Sequence, residues 1–320
     1  WTRSITGLTC LLRTELTAAS AVEGRLHSLT ASGPDGEIEI EADAFVDASG
    51  DANLTALSGA AWESAPPEKL LRPACIVELA GVDENALTDD GRLRLAHLLV
   101  RAVSAGRLSR VALGCAIRAG VHRGQAFATL DLEGHDAEGG PWQPTDPACV
   151  ARAWPTGRDT LTAVLAEWRA QDAGMAAAEI RRWPQCLGVR ESRRACGVLT
   201  LSGEDILHSA RFDDAVARAS WPLEYREKAT GPKLVHPLRP EPAQIPLRCL
   251  RHRDIANLWL AGRCLSADHD AAASIRVMGT CLASGQAAGG AAARTRGGPV
   301  ADWPELASQV RERSASFFQS

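Results

Sequence analysis

The sequence predicts a mixed α/β chain in which one domain is inserted into another, and three observations lead there. Residues 11–42 alternate apolar and polar side chains in three runs separated by turn residues, the pattern of a β-meander. Two short apolar runs, Phe45-Val46 and Leu258-Trp259-Leu260, each lead into a glycine turn, and a long stretch with strand and helix patterns of its own separates them. From Arg276 to Ala293 the chain is rich in Ala, Gly, Ser and Thr, a helix whose small side chains let it lie close to a sheet or a flat ring.

Taken in order, residues 11–19, 25–31 and 37–42 are the meander strands, with turns at Glu23-Gly24 and Gly33 to Gly36. Phe45-Val46 is a short buried strand running into Gly50, and NLTALSGA, with Leu54, Leu57 and the closing Gly59, is a short helix. Pro66-Pro67 marks a composition shift and a domain boundary, which divides the chain into 1–65, an insertion at 66–246, a return at 247–296 and a tail at 297–320. Val46 and Leu260 are then expected on neighbouring strands of one sheet. Within the insertion RPACIVELAGVD is strand-like, Leu95, Leu98, Leu99 and Ala102 fall at helical spacing, and residues 131–160, rich in Gly, Pro and Asp, are expected as surface loop. Leu161, Val164, Leu165 and Trp168 mark the core face of a second helix. Ser202 to Asp205 is a capping box that starts a helix. The prolines between 232 and 246 suggest an extended crossover, RCLRHR at 248–253 a solvated turn, and Leu306 and Val310 a short tail helix.

Composition bounds the function. The 320 residues are 45% hydrophobic and 23% charged, the balance of a soluble globular chain with core for about two domains. A net charge of −4 argues against nucleic acid or an anionic membrane as the main partner, because binding phosphates needs a net basic face. The longest apolar tract, 277–293, is interrupted by Thr280, Ser284 and Gln286 and is a poor membrane span. The nine cysteines form no CxxC pair and no zinc-spaced Cys/His cluster, so they are expected reduced and mostly buried, in a cytoplasmic protein without a metal. Without a CxxxxC pair, a redox-active disulfide is not expected either. The first residue is Trp1 and no signal peptide precedes it, so the chain is expected to begin inside a longer gene product.

One stretch is chemically dense. Arg190, Glu191, Arg193 and Arg194 sit inside an apolar strand pattern, with Leu187 and Val189 before and Val198, Leu199 and Leu201 after. Charge in such a pattern needs partners. One reading is a Glu191 to arginine network closing a domain interface. The other turns a guanidinium toward a cleft, where its fork clamps a substrate carboxylate. His269 follows Gly262 and precedes the Arg276 helix, a loop position from which it could reach a ligand.

VDASGD at 46–51, GVRESRRACGVLTLSGEDIL at 188–207 and AGRCLSADHDAAASIRVMGTCLASGQAAG at 261–289 together resemble the FAD-dependent oxidoreductases related to fumarate reductase and glutathione reductase. The resemblance implies an incomplete FAD-binding, Rossmann-like domain with the meander, and an inserted α+β substrate domain. It places Gly50 and Asp51 near the phosphate and ribityl side of FAD, Gly262 and Arg263 along the ribityl chain and the amide groups of Arg276, Val277 and Met278 against the flavin pyrimidine ring, and it counts Ser49, Ala261 and Ser274 among the cofactor-binding residues. It implies hydride transfer between a small, acidic organic substrate and flavin N5, with Arg190 or Arg193 holding the acid and His269 or Glu191 moving a proton. The electron acceptor stays open. One departure stands against the matches: no GxGxxG occurs in the 320 residues. Two rival readings follow from it, a truncated or decayed copy that acts at most as an interaction module, and a non-flavin domain that binds carboxylates through the arginine cluster.

Overall fold

A computed structural model of the chain describes residues 5–133, 140–227 and 231–317, so Trp1 and part of the expected loop at 131–160 lie outside the described residues. The chain is mixed α/β and divides into two compact units. Residues 1–64, 193–223 and 235–320 form one, and residues 65–192 and 224–234 the other.

The first unit opens with the expected meander. Strands β1 (Glu15–Val22), β2 (Arg25–Gly33) and β3 (Gly36–Glu41) form one antiparallel sheet in that order. Glu23 and Gly24 both take positive φ, 49° and 72°, the geometry of a tight hairpin whose twist matches its strands. Strand β4 (Phe45–Asp47) leads into helix α1 (Asn53–Leu57), and β5 (Trp62–Glu63) closes this part.

The second unit has its own core. Strand β6 (Ala74–Ala80) is followed by helices α2 (Glu84–Leu87) and α3 (Asp89–Ser104), then β7 (Cys115–Ala119) and β8 (Ala126–Asp131), helix α4 (Pro147–Gln171) and β9 (Glu179–Arg182). The four strands make an antiparallel sheet in the order β7-β8-β6-β9. Val77, Leu79 and Leu130 meet Leu95, Leu99, Leu161, Val164 and Trp168 in one buried cluster. The indole of Trp168 also donates to the Leu95 carbonyl at 3.1 Å, which ties the two long helices together. The loop expected at 131–160 is shorter than its composition suggests: Asp146 accepts from the Ala148 N–H at 2.9 Å and Pro147 takes the first turn, so α4 starts there.

The chain then rejoins the first unit through β10 (Arg194–Ala195), α5 (Gly203–Leu207) and β11 (Ala215–Ala219). Strands β12 (Leu223–Tyr225) and β13 (Lys233–Val235) form a two-stranded ribbon, and β14 (Ala243–Pro246), β15 (Leu258–Leu260), α6 (His269–Ile275), α7 (Met278–Thr295) and α8 (Trp303–Phe317) complete the fold. The division differs from the expected one, because residues 193–223 and 235–246 belong to the first unit. Pairing is the reason: β10 pairs with β5 and β11 with β14, and Asp268 accepts from the Gly203 N–H at 3.0 Å. The capping box at Ser202 is present, with the Asp205 N–H donating to Ser202 Oγ at 3.2 Å and the Ser202 N–H to the Asp205 carboxylate at 2.9 Å.

Strands β4 and β15 pair in parallel, with Leu258 opposite Phe45, Trp259 opposite Val46 and Leu260 opposite Asp47. Val46 and Leu260 thus lie on neighbouring strands, as expected. Two other expectations do not hold. The charged stretch at 190–193 is not in a strand, since regular pairing begins only at Arg194. RCLRHR is not solvated: Cys249, Leu250, Arg251 and His252 are buried, because the main chain there bonds to Val198 and Leu258 and carries the residues under β15.

Candidate active site

Parallel pairing puts the carboxyl ends of β4 and β15 at one edge, the side on which open α/β sheets bind ligands. The loop after β4 is organised by its last residue. Asp47 is 1% exposed and accepts from the Ser49 N–H at 3.1 Å, Ser49 Oγ at 2.7 Å, the Thr55 N–H at 2.9 Å and Thr55 Oγ1 at 2.8 Å. Between these anchors Gly50 and Ala52 take left-handed φ values of 82° and 51°. Glycine suits position 50 on a second ground, because a Cβ there would meet Arg263 Nη2 at 2.5 Å.

Three side chains hold this loop from outside. Cys264 Sγ accepts from the Gly50 N–H at 3.0 Å and the Ala52 N–H at 3.4 Å, and its thiol donates to Asp47 Oδ1 at 3.6 Å. Burial, with the Asp47 charge second, pushes that thiol up to about 12, so it stays a protonated donor at neutral pH. Arg193 donates through Nε to the Asp51 carbonyl at 2.9 Å and through Nη2 to Asn53 Oδ1 at 2.7 Å, and its guanidinium lies over the Trp62 ring. Arg263 pairs with Asp51 at 3.3 Å.

The end of β15 is fixed by the Ala261 N–H, which donates to the Asp47 carbonyl at 2.9 Å. Gly262 follows with φ 66°, and its N–H donates to Ser284 Oγ on α7 at 3.0 Å. Arg276 caps the end of α6, and Val277 precedes α7 without a side-chain cap, so no cap side chain covers the amides of the first turn of α7. The Cys281 thiol bonds the Arg276 carbonyl at 3.4 Å and lies 3.7 Å from where a Gly262 Cβ would be, which brings this helix end to the β15 turn. The fold therefore gathers Ser49, Gly50, Asp51, Ala261, Gly262, Arg263, Arg276 and Val277 at one edge. Met278 begins α7 and is 83% exposed.

Ser274 is placed otherwise. Its hydroxyl is buried and donates to the Trp221 carbonyl. His269 is not in a loop but is the first residue of α6, because Asp268 caps that helix by accepting from the Ala271 N–H at 2.7 Å.

The arginine cluster is split between the units. Arg190 donates to Asp131 at 2.7 Å and to the Arg72 carbonyl at 2.5 Å, while Glu191 accepts from the Leu71 N–H at 3.1 Å, all within the second unit. Burial, partly offset by Asp131, lowers the Arg190 guanidinium from its ordinary value. Asp131 also takes Arg226 at 2.7 Å, and Arg226 in turn binds Glu224 at 2.7 Å. Arg193 and Arg194 belong to the first unit, where Arg194 donates to the Ala267 carbonyl at 2.8 Å. Sequence reasoning missed Asp47, Cys264 and Asp131. Asp47 had a readable signal, an acid closing an apolar strand; the other two act through contacts distant in sequence.

His252 is buried behind the site and locked in one tautomer. Its Nδ1 accepts from the N–H groups of Asp254 at 3.0 Å and Ile255 at 3.2 Å, which leaves Nε2 as the donor to the Ala61 carbonyl at 3.0 Å. Burial lowers its pKa from the ordinary 6.5. The folded state thus binds fewer protons than the unfolded one below that value, so its contribution is complete above 6.5 and is lost as pH falls through the lowered folded pKa. The expected result is a urea midpoint that drops between about pH 7.5 and about pH 5, by less in His252→Gln than in the wild type.

A family model for the FAD dependent oxidoreductases matches residues 3–298. No curated protein matches the chain. Among solved structures, the chain is similar to a geranylgeranyl bacteriochlorophyll reductase-like protein from Thermoplasma acidophilum (11% identity, TM-score 0.38, 95% of this chain and 54% of that one). It is also similar to CabE, an aromatic hydroxylase from angucycline biosynthesis (12%, 0.38, 94% and 39%). A third is BexE, from work on oxidation during BE-7585A biosynthesis (15%, 0.40, 94% and 42%). The chain spans about half or less of the length of these structures. On the match over residues 3–298, it belongs to the FAD-dependent oxidoreductase family, whose cofactor is FAD.

Proposed function

We propose that the chain works as an oxidoreductase on a small, acidic organic molecule, with the first unit a Rossmann-like FAD-binding domain and the second a substrate domain. The observation that supports this most is the meeting, at the carboxyl edge of β4 and β15, of two left-handed glycines with the uncapped amino end of α7. Bound FAD supplies the chemistry of hydride transfer between a substrate carbon and its N5 atom.

The residues present fit one part of FAD. Gly50 leaves room for the Arg263 guanidinium and Gly262 turns the chain at φ 66°, Arg263 and Asp51 offer polar groups beside them, and the α7 amides offer donors to a ring edge. The partial positive charge of that helix end favours negative charge on the ligand by about 0.3 to 1 kcal/mol when exposed and up to about 2 kcal/mol when partly buried. For the pyrophosphate the sequence holds no GxGxxG turn, and the resemblance puts Gly50 and Asp51 on that side of the cofactor.

Of the arginines, Arg193 is better disposed than Arg190 to hold an acid. Both Nη atoms of Arg190 are bonded, whereas Arg193 uses Nε and Nη2 on the loop after β4 and keeps Nη1 for a carboxylate. His269, half-buried at the start of α6, is the residue proposed to move a proton; Glu191 is committed to the Leu71 N–H.

The test is to release the flavin from purified protein by denaturation and identify it. Non-covalent FAD is expected from the full-length gene product, with weak or no binding by these 320 residues; FMN, covalent flavin or none from the full-length product, or tight FAD binding by the 320 residues, refutes the assignment. Arg193→Lys is then expected to weaken binding of the acid by roughly 1.5 to 3 kcal/mol, the value of a charge-assisted hydrogen bond lost from a fork that Lys cannot reproduce. If the variant loses flavin while its loaded fraction binds the acid as before, Arg193 serves only the loop.

A further inference from the structure

A cleft of about 370 Å³ opens in the first unit along β11, and none of the residues that line it belongs to the candidate active site. Its walls are basic on a chain whose net charge is −4: Arg218 comes from β11 and Arg311 from α8. One carboxylate also lines it, that of Asp213, which is paired with Arg248 at 3.3 Å, and Arg248 is held in turn by the buried Asp214 at 2.9 Å.

The neighbouring main chain orders the donors. Gln244 lies opposite Arg218 in the pairing of β11 with β14, so the two side chains leave the same face of the ribbon. Gln244 Oε1 accepts from the Phe212 N–H at 2.8 Å, which makes Nε2, a donor, the other end of that amide. Arg311 is held through Nη1, which donates to the Ala215 carbonyl, so Nε and Nη2 are its remaining donors. Val216 is the extra residue of a β-bulge between Ala215 and Ala217, and a bulge re-aims the side chains of its strand.

Guanidinium and amide N–H groups can only donate, so two arginines and Gln244 Nε2 select a ligand made of acceptors. A carboxylate has two oxygens and is satisfied by one guanidinium fork. Two forks and an amide suit a group with three oxygens and more than one charge. A phosphate monoester has both, with about −1.5 to −2 charges at neutral pH. The volume is at the lower end of small-molecule sites, which start near 300 Å³, and Ala215, Val216 and Ala217 line the part that would take carbon.

We infer that this cleft binds a small organic phosphate monoester, with the phosphate between Arg218, Arg311 and the Gln244 amide. Bound there, the ester bridges α8 and β11 and adds to the bond that Arg311 makes to the Ala215 carbonyl. This inference does not depend on the flavin.

The experiment uses the whole 320-residue chain and compares inorganic phosphate, phenyl phosphate and benzoate at constant ionic strength, by calorimetry and by amide chemical shifts. Phenyl phosphate is expected to bind more tightly than the other two and to shift the amides of residues 212–218 and 244. Arg218→Gln, at an exposed strand position, is expected to weaken it roughly 10- to 150-fold, the loss of one charge-assisted hydrogen bond, and Arg311→Gln by a similar factor. Benzoate binding as tightly as phenyl phosphate would mean a carboxylate site and overturns the inference. So does inorganic phosphate binding more tightly than its ester, no binding of phenyl phosphate at millimolar concentration, shifts confined to other residues, or unchanged affinity in Arg218→Gln. If Arg311→Gln fails to fold, Arg218→Gln and the wild-type shifts decide.

Discussion

Asp131→Ala is expected to lower the stability of the second unit by about 3 to 5 kcal/mol, the cost of breaking a buried ion pair and leaving its partners charged. Asp131 is fully buried and holds two guanidiniums at once, Arg190 and Arg226, each at 2.7 Å. Removing it leaves both in the interior, with Glu224 still paired to Arg226. The loss should be read from amide exchange in β6 and β8, which report the core of this unit rather than global melting. Asp131→Asn keeps the shape and one acceptor and is expected to lie between. A loss below about 1 kcal/mol, the scale of a surface pair, would mean that water screens the cluster and that Arg190 is free for other work.

Asp47→Ala is the second large effect. Its carboxylate takes four bonds from Ser49 and Thr55 and is close to the Cys264 thiol, so one truncation orphans several buried donors at once. At roughly 1 to 3 kcal/mol for each buried donor left unsatisfied, a loss of about 3 kcal/mol or more is expected in urea unfolding of the first unit. The same change should loosen the turn through Gly50 and Ala52, because the left-handed conformation of Ala52 persists only while the surroundings enforce it. Faster amide exchange at residues 49–55, together with the stability loss, is the expected signature. Unchanged exchange there would show that Cys264 and Arg193 suffice to hold the loop.

Much of the local architecture was legible because it depends on near neighbours. The alternation in residues 15–41 and the Glu23-Gly24 turn specify a hairpin whatever surrounds them, and the Ser202 to Asp205 capping box closes over three residues. Leu161, Val164, Leu165 and Trp168 share a face by helical geometry alone, and all four are buried. The start of α4 was misread for a reason equally local: Gly, Pro and Asp raise the loop signal through 131–160, but Asp146-Pro147 is also a helix start.

The charged stretches were not legible in that way. A run such as RESRR or RCLRHR states how much charge must be accommodated and says nothing about where the partner lies. Arg190 is neutralised by a residue 59 positions earlier and Arg226 by one 95 positions earlier. Arg193 meets Asn53 across 140 positions. Burial of Arg251 and His252 follows from main-chain pairing with Leu258 and Trp259, which no window on RCLRHR contains.

The order of elements, the helix caps, the glycines at 50 and 262 and membership in a flavoprotein family could be read from residues close together in the chain, since hydrogen-bond geometry and side-chain period act over a few positions. The ownership of residues 193–223 and 235–246, the division of one arginine cluster between two units, and the bonding of Cys264 to a loop 212 to 217 positions away were decided by tertiary structure. Long-range pairing and burial set what each charge or thiol costs, and those costs exist only once the chain has closed on itself.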